Sequence, residues 1–509
     1  MDLIVPMNRT TRGLLILTAV VGVNVLLFSW IMPQDKFSAP YQENCSSCHG
    51  NTLTGTPLGP ALVGVDLQSG DSVADISRII RDGSLQTGMP AFAATLDDTL
   101  VRRIALYVTE QRAGFSQIGI SMGQPLAIPV EAIASEQHSF RLEIVAMDLD
   151  PLPFAIAPLP DGRILLTERG RGLSIVGTDG ARSALIPEAP TGYDDAVGSP
   201  FVPLKMGLGW MMDVALHPDY ATNGWIYLQY GDRCSTCEMK HQGVSMNKLV
   251  RGRIVYDQWV DEETIWQADR NAYTKSSDMG AGGRIAFDDE GHVFISVGFK
   301  GPTNYAGIQD LAMPWGKIHR MNDDGSIPPD NPFVDTPGAM GSIWSYGHRS
   351  PQGLEYNYQT GQLWGTDMGP RGGDEVNLLL AGRNYGWPLV SKGLNYDGSP
   401  VDYGKLLGIS SDTMDIVQPI VDLTPSPAVS SFIIYTGNAF PGWQQHMIVG
   451  SLKARSLYRI VVENGALVHQ ETIIHGLARI RDLESDAKGL IYLLLEHADG
   501  SLIVRMVPE

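Results

Sequence analysis

Leu159-Pro-Asp-Gly-Arg-Ile-Leu-Leu-Thr167 is a tight turn followed by a short apolar strand, and the chain repeats that phrase over most of its length. Gly162 supplies the turn, and Ile164 to Thr167 supply bulky and β-branched residues that suit a pleated surface. The same grammar recurs as Asn223-Gly224 before Trp225–Gln229 and Glu290-Gly291 before His292–Ser296. It returns as Lys488-Gly489 before Leu490–Leu494. Hairpins repeated at long intervals predict a propeller or a sandwich. About 370 residues follow position 138, and roughly 40–60 residues per four-stranded blade gives six blades.

Composition agrees with that reading. The chain has 509 residues, of which 56 are Gly and 32 are Pro, so it is rich in turns. Hydrophobic residues at 43% and charged residues at 18% describe a globular chain. The formal net charge of −19 argues against a nucleic-acid partner, which calls for a basic face. Four cysteines are too few for a disulfide scaffold of this size.

Working back from the strands, residues 116–138 contain Gly, Ser and Pro without a sustained period and read as a linker. Before them lies Cys45-Ser-Ser-Cys-His49, the C-x-x-C-H spacing of c-type haem attachment. Two thiols one helical turn apart can form thioethers to the two vinyl groups, and His49 then lies beneath the iron. A redox C-x-x-C pair or half a zinc site is the competing reading. A zinc site needs further ligands, and no Cys or His stands between His49 and His138. Met89, in Gly88-Met-Pro-Ala-Phe92, is the expected sixth ligand, and Met/His ligation gives a relatively high potential. Helices are predicted over Ser72–Asp82, closed by Gly83, and over Leu96–Arg112. Residues 40–114 resemble a small class I cytochrome c domain, which implies one haem c.

Residues 13–32 are uncharged and about 30 Å long as a helix, the thickness of a bilayer core. Arg9 and Arg12 precede the run, so the N-terminal tip is expected in the cytoplasm and the remainder outside it. A cleaved signal peptide is the alternative, but the run exceeds a usual signal core and no A-x-A site follows. The expectation is a bacterial inner-membrane protein with a single N-terminal span and a periplasmic bulk. Its parts are a tip and transmembrane anchor (1–35), an all-α cytochrome c domain (36–115), the linker (116–138) and a mainly-β six-bladed propeller (139–509).

Further phrases narrow the propeller. They are Thr167-Glu-Arg169, Asp213-Val-Ala-Leu-His-Pro-Asp-Tyr220, Gly316-Lys317 and Asp323-Asp-Gly-Ser-Ile-Pro-Pro-Asp-Asn-Pro332. They continue with Gly347-His-Arg-Ser-Pro-Gln-Gly353, Gly369-Pro-Arg-Gly-Gly-Asp-Glu-Val-Asn377 and Asn384-Tyr-Gly-Trp-Pro388. In this order they resemble the soluble glucose/sorbosone dehydrogenase family, from about residue 140 to the C terminus. The resemblance implies a six-bladed propeller that oxidises aldose-type sugars with pyrroloquinoline quinone (PQQ) and Ca²⁺. It implies PQQ contacts at Lys453, Arg479 and Arg481, and a quinone-polarising role for Arg349. It also implies Ca²⁺ ligation by the carbonyls of Gly369 and Pro370.

The sequence departs from the family at the base. The family's catalytic histidine falls on Gly280, its acidic neighbour on Met279, a glutamine on Leu208 and an asparagine on Ser350. Asp278 is the nearest replacement base. His217 and His348 belong to structural phrases. Cys234-Ser-Thr-Cys237 lacks a following His, so a loop disulfide is expected, with a redox-active pair as the alternative. Two functions follow from the whole pattern. One is a quinoprotein dehydrogenase that reduces its own haem and then a respiratory acceptor, either a cytochrome or a quinone-linked complex. The other is a catalytically silent propeller that serves as a binding or assembly module beside an electron-transfer haem.

Overall fold

The computed structural model describes residues 36–114, 122–193, 197–198, 205–239, 242–301 and 305–509. The expected membrane anchor lies outside these residues. Among the described residues no helix is long and apolar enough to cross a membrane. The chain divides into two compact units, one through Arg112 together with Tyr396–Gly398, and one of Ala113–Asn395 with Ser399–Glu509.

The first unit is helical: Ser38–Asn44, Ser46–His49, Val73–Asp82 and Asp98–Arg112. Ser72 caps the third helix by accepting from the Asp75 amide at 3.1 Å, and Gly83 ends it at φ 68°. The last helix buries Val101, Ile104, Ala105 and Val108. Tyr107 on that helix packs on Tyr41, with ring centroids 5.3 Å apart. Both helices lie where the apolar spacing predicts them, shifted at their starts by one or two residues.

The second unit is a six-bladed propeller. Its inner strands are Pro153–Pro158, Met211–Leu216, Gly282–Phe287, Pro351–Asn357, Val429–Ile434 and Arg479–Ser485, for blades 1 to 6. Each inner strand neighbours the next, and the sixth returns to the first, so the ring closes. Blades 2 to 5 are four-stranded antiparallel sheets, and blade 1 has three strands. Blade 6 draws on both ends of the unit. Ser139–Leu149 pairs antiparallel with Ser501–Pro508, in the register Phe140↔Pro508 and Ile144↔Val504. Closing a ring this way leaves blade 6 without an open edge between the two chain ends.

Apolar residues of neighbouring blades meet between the sheets. Phe154, Leu165 and Leu173 of blade 1 pack with Met211, Val214 and Leu228 of blade 2, all buried. Each such side chain contributes about 1.5–3 kcal/mol. Part of the expected linker belongs to this unit. Ile133 and Ala134 pair with Phe140 and Ser139, and Leu126 and Ile128 lie against the core of Phe140 and Trp443.

The axis is polar. Arg284 of blade 3 donates to Asp482 of blade 6 at 2.7 Å, to Asp213 of blade 2 at 3.3 Å and to the Gln352 carbonyl of blade 4 at 2.8 Å. Asp482 also accepts the Ile156 amide of blade 1 at 2.8 Å. Arg284 and its two buried carboxylate partners thus tie five blades. Removing one partner of a buried ion pair costs about 3–5 kcal/mol.

Candidate functional site

The haem pocket is assembled locally. Cys45, at the junction of the first two helices, and Cys48, within the second, are free thiols, and both line a cavity of about 460 Å³. His49, Ile76, Ile80, Ile104, Val108 and Met89 line the same cavity. The His49 Nδ1 lies 2.8 Å from the carbonyl of Pro60. A carbonyl only accepts, so Nδ1 carries the proton and Nε2 keeps the lone pair that binds iron. Met89 is presented by a short hairpin in which the amides and carbonyls of Ser84 and Met89 pair, next to Gly88 at φ 73°. Burial, then the neighbouring Cys48, pushes the Cys45 thiol up to about 11. The residues fit a covalently held haem: two thiols, an oriented imidazole, a thioether and apolar walls.

The second site lies where the inner strands of the propeller begin. Arg349 precedes blade 4 and is fixed on every side. Its amide donates to Asp367 at 2.9 Å, and its guanidinium donates to the carbonyls of Met368 at 2.7 Å and Gly369 at 2.9 Å. The rings of Phe299 and Trp387 flank it, with centroids 5.1 and 5.2 Å away. Its Nε is buried with no acceptor among the described residues. Ser350 and Gln352 continue the network to Arg481, through contacts of 2.9 and 3.4 Å. Arg479 and Arg481 share a face of blade 6 and reach Glu496 at 2.8 and 2.6 Å. Lys453 is half-buried, and its charge and that of Arg349 both bear on buried Asp374. Burial nonetheless raises that carboxyl to about 6.

The expected cations therefore lie at one end of the ring, and the arginines form part of one hydrogen-bonded network. They suit a multiply charged anion. The carbonyls expected to ligate calcium each already accept one hydrogen bond. The Gly369 carbonyl already accepts the Arg349 guanidinium, and the Pro370 carbonyl accepts the Ser426 hydroxyl at 3.2 Å. Each carbonyl oxygen keeps a second lone pair, so a cation there would share the oxygens with these donors and sit close to the Arg349 charge.

Asp278 does not provide an accessible base. It is 4% exposed and accepts the amides of Gly209 and Trp210 at 2.7 and 3.0 Å and the Ser245 hydroxyl at 2.7 Å. Lys300, itself fully buried, donates to the same carboxylate. With its oxygens so engaged, Asp278 is a structural partner. Gly280 is not simply a missing side chain either. A Cβ there would lie 2.5 Å from the Phe299 ring, so phenylalanine fills the space beside the family's histidine position.

His217 and His348 are scaffold. His217 accepts the Asp219 amide at 3.0 Å, and His348 is fully buried against Ser345 at 2.8 Å. Cys234 and Cys237 form a disulfide, as expected of the loop pair. Sequence reasoning assigned no role to Phe299, Lys300, Arg169 or Glu496. Arg169 stands in the quoted phrase Thr167-Glu-Arg169, but nothing local tells that it meets blade 6.

Residues 151–504 match the glucose/sorbosone dehydrogenase family model, and residues 34–108 match cytochrome c oxidase, cbb3-type, subunit III. The aldose sugar dehydrogenase of Escherichia coli K12 is 33% identical over 383 residues, 74% of this chain and 96% of that protein. Its soluble apo-form crystal structure superposes with a TM-score of 0.60 at 30% identity, covering 73% of this chain and all of that one. Quinoprotein glucose dehydrogenase B of Acinetobacter calcoaceticus is 26% identical over 66% of this chain and 80% of its own. Cytochrome c55X of Paracoccus denitrificans is 36% identical over 75 residues, 15% of this chain and 71% of its own. With the propeller, its cationic site and the haem pocket in one chain, the protein belongs to the glucose/sorbosone dehydrogenase family and carries a cytochrome c domain at its N-terminal side.

Proposed function

We propose that the chain is a periplasmic, membrane-anchored quinoprotein oxidoreductase. It oxidises an aldose-type sugar with PQQ bound in the propeller and passes the electrons to its own haem c. A respiratory acceptor, a cytochrome or a quinone-linked complex, then reoxidises the haem. The observation that carries this reading is the placement of Arg349, Arg479 and Arg481 at one end of the ring, in a chain that also holds a complete haem pocket. When bound, PQQ supplies the two-electron acceptor. The arginines supply charge-assisted hydrogen bonds to its carboxylates, and Arg349 is the group available to stabilise negative charge on a reacting oxygen.

A silent propeller is the second reading, and Phe299 favours it. Its ring stands where a histidine at position 280 would need room. A positioned base contributes about 10²–10⁴-fold, so turnover without one is slow. The test uses full-length, haem-loaded protein titrated with PQQ, with and without Ca²⁺, followed by an aldose. Growth of the reduced-haem absorbance supports the enzyme. PQQ binding without haem reduction selects the silent propeller, and calorimetry without PQQ binding removes the quinoprotein reading.

A further inference from the structure

Arg169 is buried, with 7% of its side chain exposed, yet it has little to neutralise it. Among the described residues the only carboxylate it reaches is Glu496, at 3.1 Å, and Glu496 also takes Arg479 and Arg481. The remaining nearby cation, Arg284, is engaged with Asp482 and Asp213. Burial, then repulsion from Arg481, pushes the Arg169 guanidinium down to about 9. Burial alone would raise the pKa of Glu496, but Arg481, Arg479 and Arg169 together hold it well below the carboxylate range. The Arg169 Nε is buried with no acceptor among the described residues. Its flat head packs near the rings of Phe154 and Trp210, 5.6 and 5.3 Å from their centroids.

Three buried guanidinium groups gathered on one carboxylate are costly unless a further anion joins them. Arg169 follows the second strand of blade 1, and Glu496 ends the second strand of blade 6. Both lie at the end of the ring where Arg479 opens its inner strand. We infer that Arg169 is a third arm of an anion cradle with Arg479 and Arg481, and binds a carboxylate of a polycarboxylate ligand. On the reading above, that ligand is PQQ. Arg169 then works against the stability of the ligand-free protein, because its charge lacks a full counterpart until the ligand arrives.

The experiment separates a binding arm from a structural one by the sign of its effect. Arg169→Met keeps an unbranched apolar stem between Phe154 and Trp210 and removes the charge, while Glu496 keeps Arg479 and Arg481. In full-length, haem-loaded protein without PQQ, the propeller's melting temperature should rise by about 2 °C. Calorimetric affinity for PQQ should fall about ten- to a hundredfold. Arg169→Lys, which keeps the charge, should retain most of that affinity. A fall in the ligand-free melting temperature of Arg169→Met would overturn the inference. Benzenetricarboxylate serves as a second probe. If wild type binds no PQQ but this tricarboxylate stabilises wild type and not Arg169→Met, the cradle stands and the PQQ reading fails. If neither anion stabilises wild type, the cradle itself is refuted.

Discussion

Exchanging the occupants of one space tests the reading of the Gly280 position. Gly280 sits at φ 83°, and a Cβ there would stand 2.5 Å from the Phe299 Cε1. Gly280→His alone adds about 1–2 kcal/mol for a side chain in left-handed backbone. It also forces the Phe299 ring away from the Arg349 guanidinium, forfeiting about 0.5–2 kcal/mol of cation–π attraction. The single substitution should therefore destabilise the propeller by about 1.5–4 kcal/mol in total. Phe299→Ala removes the obstructing ring and loses packing and the contact with Arg349. In the double variant the clash is gone but the backbone cost remains, so its destabilisation should fall short of the summed single effects by the displaced contact, about 0.5–2 kcal/mol. Denaturant unfolding of all four proteins, monitored at the propeller transition, measures that coupling. Additive effects would refute the idea that the two side chains compete for one space. In the same proteins, aldose-dependent haem reduction should rise only in the double variant, by up to about 10²-fold for a newly placed base.

The haem predictions are local. Cys45→Ala with Cys48→Ala should abolish haem that survives acid-acetone extraction, and retention would show another attachment site. Met89→Ala should keep covalent haem and lower its reduction potential in a redox titration. An unchanged potential would remove Met89 as the ligand. The acidic groups on the axis set a pH dependence. Burial, then Asp213, raises Glu355 to about 8, and burial raises Asp213 to about 7 despite Arg284. Glu484 is raised likewise, and Asp482 and Arg284 also bear on Glu355. The folded state holds protons that the unfolded chain releases above about pH 4, so this stability is fully present below about pH 4 and is lost progressively as pH rises to the folded values of about 7 and 8. Melting temperatures between those limits should fall with pH in wild type and fall less in Glu355→Gln. Equal slopes would show that Glu355 does not titrate in this range.

What the sequence disclosed follows from how local each signal is. Ser72, Asp75 and Gly83 delimit a helix from within it, and Cys45, Cys48 and His49 lie on a single turn. The blade hairpins were legible because each turn and strand are contiguous. Phe299 was not, because a hairpin of two strands separates it from Gly280, and only its folding back brings the ring to that space. Arg169 and Glu496 were still less accessible: they stand 327 residues apart, and only ring closure brings blade 1 to blade 6. The engagement of Asp278 by Lys300 was hidden for a similar reason. A carboxylate in a loop reads as available until the donors of other segments are placed around it.

The seam in blade 6 also sets an order of assembly. Ser139–Leu149 is synthesised before any blade, but its partner Ser501–Pro508 emerges last. Arg505 and Glu143, which meet across the seam at 2.9 Å, are separated by 362 residues. During synthesis the early strand therefore waits as an unpaired edge, with a row of backbone donors and acceptors open to foreign strands. The haem unit has no such delay, since its helices lie within residues 38–112. A nascent chain thus passes through a stage with a finished cytochrome and an open propeller. Loss of only the last strand would prolong that stage indefinitely, leaving a chain that stains for haem yet aggregates through its unclosed ring.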